Sequence, residues 1–287
     1  MVPRIRRRAT AGRFTLALCA MAGLLLPVTS AAAATVSPPY SAVPPAGITC
    51  RTVDATSVNY RCVIGYSVEG REIIAERQGN ASAARVLLVN GQMHGEEWPG
   101  PLVVDHVRNL AIAPTASFQI WTIRTINPDG GRIGRRWNSH GVDLNGNFPN
   151  KFKVLPRSGP HALSEPESAA MVRFLTWLQP GLIISLHGFA TATDTTGGGK
   201  RAAWAHRFSA LTHITPAHPV SCDGPCHGNM TDWYTATSKV HGVAFTVEMP
   251  HTSKLPGPCS VPGHSRRATT IDCTAWAAAY LAAQLPV

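Results

Sequence analysis

Apolar residues recur along the chain in short blocks with two different periods. Residues 84–90 (ARVLLVN) and 182–186 (LIISL) are nearly continuous apolar runs, a pattern typical of buried central strands. Residues 71–77 (REIIAER) alternate between apolar and polar, which predicts a half-buried strand. Residues 118–126 and 243–249 are rich in β-branched and aromatic residues and predict two further strands.

Helical patterns occupy the intervals between these strands. Apolar spacing predicts a helix over residues 99–113. Ser164 as N-cap, with Pro166 just inside and acids in the first turn, predicts a second helix that runs to about residue 178. Further helices are expected over residues 202–212, 231–240 and 269–285. Strands that alternate with helices predict an α/β fold, with a mixed, largely parallel sheet and helices on both faces.

The N-terminus has a pattern of its own. Residues 1–13 hold five arginines and no acid, the next fifteen are almost wholly apolar, and residues 30–34 are small. This order is typical of a secretory signal peptide cleaved near Ala34, and its apolar run is too short to span a membrane. We therefore expect a secreted protein with no stable membrane anchor. A proline-rich leader over residues 35–47, extended and poorly packed, should precede a single domain over residues 48–287.

The net charge of the chain is positive but rules out few classes of binding partner. The 287 residues include 26 Lys+Arg and 16 Asp+Glu, for a formal net charge of +10. Cleavage of the signal peptide would remove five arginines and leave about +5, which indicates a solvated, mildly basic surface. Attraction to an anionic polymer such as cell wall is the alternative. Because no basic block is interleaved with aromatic residues, we expect no nucleic-acid partner, and we expect a monomer.

Six of the 7 cysteines would remain in the exported protein. An even number in an oxidising compartment predicts disulfides, although six cysteines can connect in about 15 ways. Nearest-neighbour pairing would join Cys50 to Cys62, Cys222 to Cys226 and Cys259 to Cys273. The alternative for the middle pair is a zinc site, which the absence of a second ligand pair nearby disfavours.

Candidate chemistry follows the ends of the predicted strands. His94 and Glu97 come after the first buried strand, and His187 ends another. Two imidazoles and one carboxylate are the ligand set of a catalytic zinc site, whose fourth position is open for water. Glu248 interrupts an apolar strand, where a buried carboxylate is costly unless something pairs with it. The structural alternatives are a polar loop at His94 and Glu97 and a hydrogen-bonded histidine at His187.

A series of motifs resembles the zinc metallocarboxypeptidases, the carboxypeptidase A-like peptidases. The motifs are, in order, IGYSVEGR (64–71), NGQMHGEEWPG (90–100), NPDG (127–130), RWNSHGVDLN (136–145), SGP (158–160), SEPE (164–167), SLH (185–187) and FTVE (245–248). The resemblance covers roughly residues 60–285, and motifs in a fixed order are far more specific than one alone.

The resemblance implies a metal site and a general base. His94, Glu97 and His187 would bind one zinc ion, and the fold would be that of the zinc carboxypeptidases. Glu248 would take a proton from a zinc-activated water and pass it to the leaving amine.

The resemblance also implies three supporting roles. Arg136 would stabilise the oxyanion, with Arg135 as the neighbouring alternative and a substrate-binding candidate. Asp143 would orient the first zinc histidine and fix its tautomer. Asn145 would contact the terminal carboxylate of the substrate.

Residues 143–147 depart from the family pattern. The family reads Asp-Leu-Asn-Arg-Asn, whereas this chain reads DLNGN. Gly146 therefore replaces the arginine that binds the C-terminal carboxylate, a charge-assisted contact typically worth about 1.5–3 kcal/mol. Arg132, Arg135 or Lys151 could supply the missing charge from nearby loops.

Two further positions concern substrate binding. Tyr234 is the nearest candidate for the family's mobile tyrosine, with a structural role as the alternative. Thr231 occupies the position at which the family sets its side-chain preference, and a small neutral residue there argues against a pocket for basic side chains.

The sequence thus favours a secreted zinc metallocarboxypeptidase that cleaves an amide bond at the C-terminal end of peptides, including cell-wall stem peptides. One alternative is a zinc amidase or deacylase that needs no free carboxylate, which Gly146 motivates. The other is an inactive zinc-binding recognition module, which the presence of both Glu248 and Arg136 disfavours.

Overall fold

A nine-stranded sheet forms the centre of the protein, in a computed structural model that describes residues 37–53, 58–218 and 226–287. Its strands are β1 (Thr49–Thr52), β2 (Tyr60–Tyr66), β3 (Glu72–Gly79), β4 (Arg85–Gly91), β5 (Phe118–Ile123), β6 (Leu182–Gly188), β7 (Ala192–Asp194), β8 (Pro216–Ala217) and β9 (Val243–Met249). The signal peptide predicted over residues 1–34 lies outside the described residues.

The strands lie in the order β1-β2-β3-β5-β4-β6-β9-β7-β8. The four central strands, β5, β4, β6 and β9, run parallel to one another. Antiparallel pairs flank them on both sides, β3 beside β5 and β7 beside β9. The mixed α/β sheet predicted from the sequence is confirmed, and its parallel part is the buried centre.

Six helices are present in the described residues: α1 (Pro99–Arg108), α2 (Pro128–Ile133), α3 (Pro166–Leu178), α4 (Gly199–Thr212), α5 (Met230–Thr237) and α6 (Thr270–Ala283). Alternate residues of β4 enter two separate cores. Leu87 and Val89 pack with residues of α1, α4 and α6, whereas Val86 and Leu88 pack with residues of α3 and α5. Helices therefore cover both faces, which explains why β4 is apolar at nearly every position.

Several helix boundaries differ by one to five residues from those that the sequence predicts, and the ends of α1 and α3 show why. Helix α1 ends at Arg108 rather than at residue 113, since the chain leaves the helix at Asn109. Helix α3 has Glu165 as its N-cap rather than Ser164. The reason is that the Ser164 hydroxyl donates a hydrogen bond to Glu165 Oε1 at 2.8 Å, so it does not cap the backbone.

The proline-rich leader packs more closely than expected. The Tyr40 hydroxyl donates to Gln119 Oε1 at 2.6 Å. Its ring lies 6.1 Å from that of Trp121 and 4.9 Å from that of Trp177. The expectation of poor packing over residues 35–47 is therefore wrong around Tyr40, because this aromatic side chain fits against two tryptophans of the domain.

Two of the three predicted disulfides are present. One joins Cys50 to Cys62 across the β1–β2 pair, and the other joins Cys259 to Cys273 at the start of α6. Cys222 lies outside the described residues, so its pairing with Cys226 stays a prediction. Among the helices described, none combines the length and apolar character required to cross a membrane.

Candidate metal centre

Three potential ligands meet beyond the carboxyl ends of β4 and β6. His94 and Glu97 lie in the loop between β4 and α1, and His187 is the penultimate residue of β6. Their ligand atoms all lie within 4.8 Å of one another. The three residues are only 4%, 1% and 1% exposed. The structure therefore brings together the residues that the sequence separates by 93 positions.

A carboxylate contacts His94 on the side of its ring away from the other potential ligands. His94 Nδ1 lies 2.7 Å from Glu97 Oε1 and 3.2 Å from His187 Nδ1. On the opposite side of the ring, His94 Nε2 lies 3.1 Å from Asp143 Oδ1. A proton on Nε2 that is donated to Asp143 leaves Nδ1 as the ligand atom. This geometry would allow Asp143 to orient His94, and that role stays a prediction.

A polar chain that the sequence did not reveal holds the second histidine. His187 Nε2 lies 3.3 Å from Ser185 Oγ, and Ser185 Oγ accepts a hydrogen bond from Asn90 Nδ2 at 3.0 Å. This leaves His187 Nδ1 facing Glu97. The available signal was a serine and an asparagine inside otherwise apolar strands, since buried polar groups require partners.

The ionisable residues of the centre shift the pKa values of their neighbours toward the charged forms. Burial opposes protonation of His94, but hydrogen bonds with Asp143 and Glu97 and their charges raise its pKa to about 9. Burial also opposes ionisation of Glu97, yet the charge and close approach of His187, with the hydrogen bond and charge of His94, lower its pKa to about 2. Burial likewise opposes ionisation of Asp143, but its hydrogen bond with His94 and the charges of His94 and Arg136 lower its pKa. Two carboxylates thus stay ionised in a buried site.

These residues fit a zinc ion. Glu97 Oε2 is buried and accepts no hydrogen bond from the described residues, although it lies 3.2 Å from His187 Nδ1. Such an oxygen is costly to bury without a partner, and a divalent cation would satisfy it. Imidazole nitrogens with one carboxylate are a donor set that zinc prefers.

A close backbone contact fixes the ligand loop. A Cβ atom on Gly95 would lie 2.2 Å from the carbonyl carbon of Gly130 and 2.4 Å from the carbonyl oxygen of Arg135. The Gly95 N–H donates to the carbonyl oxygen of Arg136 at 3.2 Å, and Asn127 Nδ2 donates to the same oxygen at 3.1 Å. The residue between His94 and Glu96 must therefore be glycine, because the loop packs directly on α2 and the segment after it.

Arg136, rather than Arg135, reaches the metal centre. Its Nε donates to Asp143 Oδ2 at 3.0 Å, and its Nη1 lies 3.7 Å from Glu97 Oε1 and 3.6 Å from Glu96 Oε1. Its side chain remains 42% exposed, so it can contact a ligand. Arg135 is exposed and does not line the cavity around Asn145 and Gly146.

Glu248 lies beside the potential ligands without joining them. It occupies the penultimate position of β9 and is the register partner of His187 on the adjacent parallel strand. Burial raises its pKa above the usual range, against the opposing charge of His187. A carboxylate with a raised pKa can accept and release a proton nearer to neutral pH.

A cavity of about 150 Å³ adjoins the centre. Its lining includes Arg136, Asp143, Asn145, Gly146, Arg157 and His227. Asn145 Oδ1 accepts a hydrogen bond from the Met230 N–H at 3.3 Å, which leaves the amide NH₂ group of Asn145 to donate. Arg136 and Asp143 line this cavity and also contact residues of the centre, so the cavity adjoins the centre.

A larger cavity of about 500 Å³ lies on another side of the ligand loop and includes none of the three ligands. Arg132 lines this larger cavity, and Lys151 lines neither. None of the three basic residues suggested by the sequence therefore lines the cavity beside Gly146. Sequence reasoning missed Arg157 and His227, which do.

Thr231 and Tyr234 lie away from the cavity. Thr231 is 2% exposed, and its hydroxyl oxygen lies 3.4 Å from Arg201 Nη2. Tyr234 is 1% exposed, and its hydroxyl donates to the carbonyl oxygen of Pro180. Both side chains are buried in packing contacts, which favours the structural alternative for Tyr234; substrate contact by either residue stays a prediction.

Comparison with known proteins identifies the class of this fold and site. The zinc carboxypeptidase family matches residues 52–194. The chain belongs to this family, which confirms the resemblance seen in its motifs. The matched range includes the three potential ligands and ends before Glu248.

Two curated relatives share part of the sequence. Carboxypeptidase SOL1 of Arabidopsis thaliana is 29% identical over 145 residues, which are 46% of this chain and 29% of that protein. Murein peptide amidase A of Escherichia coli (strain K12) is 33% identical over 107 residues, 31% of this chain and 44% of that protein. The chain therefore spans less than half the length of either relative.

Solved structures share the fold at low sequence identity. Murein-tripeptide amidase MpaA from Escherichia coli O157 has a TM-score of 0.54 and 21% identity, over 76% of this chain and 90% of that one. Carboxypeptidase A from Helicoverpa armigera has a TM-score of 0.59 and 17% identity, over 80% of this chain and 68% of that one. At such identities the likeness shows the fold alone.

Proposed function

We propose that this chain is a secreted zinc-dependent metallocarboxypeptidase that hydrolyses an amide bond at the C-terminal end of peptides, including cell-wall stem peptides. The observation that carries the proposal is the register of Glu248 with His187, next to three buried potential zinc ligands. This register supports a general base beside the metal site, which a module that only binds its ligand would not require.

Each residue contributes one part of the reaction. A zinc ion held by His94, Glu97 and His187 would supply Lewis-acid activation of water and of the scissile carbonyl. Glu248 removes a proton from the attacking water and delivers it to the nitrogen of the leaving amine. Arg136 donates hydrogen bonds to the oxyanion as negative charge develops on the carbonyl oxygen.

The relatives support the class of substrate. The names of two similar proteins, murein peptide amidase A and murein-tripeptide amidase, describe action on a murein peptide. A third relative is a carboxypeptidase. The two disulfides fit an oxidising compartment outside the cytoplasm, where a cell-wall peptide would be met.

The variant Glu248→Gln tests the assignment of the base. We expect it to retain one zinc ion per chain and to lose about 10²- to 10⁴-fold in kcat, the usual contribution of a general acid–base group. Glu72→Gln is the matched control, because Glu72 is an exposed carboxylate on the distant strand β3. Zinc content measured by mass spectrometry separates loss of the base from loss of the metal. Full activity in Glu248→Gln would refute the assignment.

A second candidate function is a zinc amidase or deacylase that does not require a free carboxylate. The observation that favours it is Gly146, which contributes no side chain to the cavity beside the metal centre. Equal turnover of matched free-acid and amidated peptides would support this function. Strict dependence on the free acid would exclude it.

A further inference from the structure

We infer that Arg157 binds a free carboxylate on the leaving group of the substrate, in the cavity beside Gly146. This inference rests on the proposed function and specifies its substrate class. The cavity adjoins the metal centre at Arg136 and Asp143. A group of the substrate bound there would lie near the bond that is cut.

The guanidinium of Arg157 is held in place but remains available. Its central carbon lies 3.5 Å from the centre of the Trp137 ring, and its Nη1 donates to the carbonyl oxygen of Gly141 at 3.3 Å. Among the described residues, no carboxylate forms an ion pair with it. A guanidinium stacked on an aromatic ring keeps its planar array of donors in one orientation, which suits a carboxylate.

The backbone of Arg157 is in a conformation that favours glycine. Its φ is +69°, in the left-handed region that residues with a Cβ atom rarely adopt. The carbonyl oxygen of Arg157 accepts a hydrogen bond from the Asp143 N–H at 2.7 Å. Ser158 Oγ holds the turn further, accepting from the Leu155 N–H at 2.8 Å. Glycine would adopt this conformation at lower cost, so a change of Arg157 to glycine removes the side chain without straining the backbone.

The cavity offers donors and few free acceptors. His227 lines the cavity, and its buried Nδ1 has no hydrogen-bond partner in the described part of the chain; this nitrogen donates when the ring carries its proton there. The amide NH₂ group of Asn145 is also left to donate, whereas the Asp143 carboxylate is committed to His94 and Arg136. A lining of this kind selects an anion, and about 150 Å³ is room for a small one.

The absence of a side chain at Gly146 leaves room for a carboxylate to approach Arg157. A Cβ atom at position 146 would make an ordinary contact, 3.7 Å from Ser158 Cα. A side chain there would therefore project toward the segment that carries Arg157. With glycine at 146 this space stays open, and a carboxylate can approach Arg157 from the direction of the metal centre.

Binding to an inactive background tests the inference separately from catalysis. Zinc-loaded Glu248→Gln protein is dialysed against a pool of N-acetylated tripeptides with all C-terminal residues, as free acids and as amides. Retained peptides are measured by mass spectrometry. We expect acids to bind better than their amides, and Arg157→Gly to weaken binding of the acids alone by about 10- to 100-fold. The thermal midpoint should be unchanged or raised, because glycine relieves the strained φ.

Lys151→Gly is the matched control. Lys151 is also a basic residue with positive φ, at +53°, but it is exposed and does not line the cavity. It should leave the preference for acids unchanged. Equal binding of acids and amides before substitution, or a preference that survives Arg157→Gly, would overturn the inference. Loss of the preference in Arg157→Gly, in a parent enzyme that hydrolyses none of these peptides, would uphold the inference and contradict the proposed function.

Discussion

The carboxylate of Asp143 lies 3.1 Å from Nε2 of His94, on the side of the ring away from Glu97. The same carboxylate accepts a hydrogen bond from Arg136 Nε, and the Asp143 N–H donates to the carbonyl oxygen of Arg157. One residue thus connects a potential metal ligand, the proposed oxyanion donor and the wall of the adjoining cavity. We therefore expect a substitution of Asp143 to weaken metal binding first.

Asp143→Asn should lower zinc affinity by about 10- to 100-fold, the usual effect of removing the partner of a ligating histidine. The amide keeps the shape of the side chain but removes the charge that holds the proton on His94 Nε2. Competition with a fluorescent chelator measures the affinity. Asp105→Asn is the control, since Asp105 is an exposed carboxylate paired with Arg124. Equal zinc affinity in both variants would exclude the orienting role of Asp143.

Gly95→Ala should destabilise the protein by about 1–3 kcal/mol and weaken zinc binding, because its methyl group would overlap the backbone of Gly130. Gly181→Ala is the matched control, since a Cβ there would lie 3.7 Å from its nearest neighbour, the carbonyl oxygen of Val86. Urea unfolding of both apo proteins measures stability. If Gly95→Ala unfolds at the same urea concentration as the parent, the loop is less tightly packed than described.

Asp129 makes the fold sensitive to acid. Burial would raise its pKa, but hydrogen bonds from the Ser67 hydroxyl, the Glu69 N–H and the Arg71 guanidinium lower it. Because the folded pKa lies below the unfolded value of about 3.9, Asp129 stabilises the protein fully above that pH. The contribution is lost as the pH falls through the folded pKa.

Asp129→Asn should therefore be less stable than the parent at pH 7, by about 1.5–3 kcal/mol for hydrogen bonds to a charged group. The difference should shrink as the pH falls below about 4, because the parent loses its advantage when Asp129 is protonated. Urea midpoints measured at steps of pH give both curves. If the difference between the two urea midpoints stays constant over this range, the pKa of Asp129 is the same in the folded and the unfolded protein.

The central strands could be predicted from the sequence because they are buried on both faces. Strands β4, β6 and β9 begin within one residue of the predicted positions. Strands β1, β2, β7 and β8, which lie toward the two ends of the sheet, were not predicted. Strands β1, β7 and β8 are only two to four residues long, too short to show a period, and the pairing of β2 with β3 is interrupted by a shift in register between Val63 and Gly65.

The ligands were accessible to sequence reasoning, but the surrounding cavity was not. Ligands at strand ends converge because the topology of the sheet requires it. The basic residues Arg132, Arg135, Lys151 and Arg157 look alike in the sequence, and only the fold separates them. Arg157 becomes distinct through its place in the lining of the cavity and its contact with Trp137, twenty positions earlier in the chain.

The most direct test of the proposed activity is a mass-spectrometric analysis of products. Zinc-loaded mature protein is incubated with peptides of matched sequence, half with free C-termini and half amidated, with the His187→Ala protein as a control. We predict release of single C-terminal residues from the free acids by the parent protein alone. Intact peptides in every sample, or identical cleavage by the His187→Ala protein, would contradict the account.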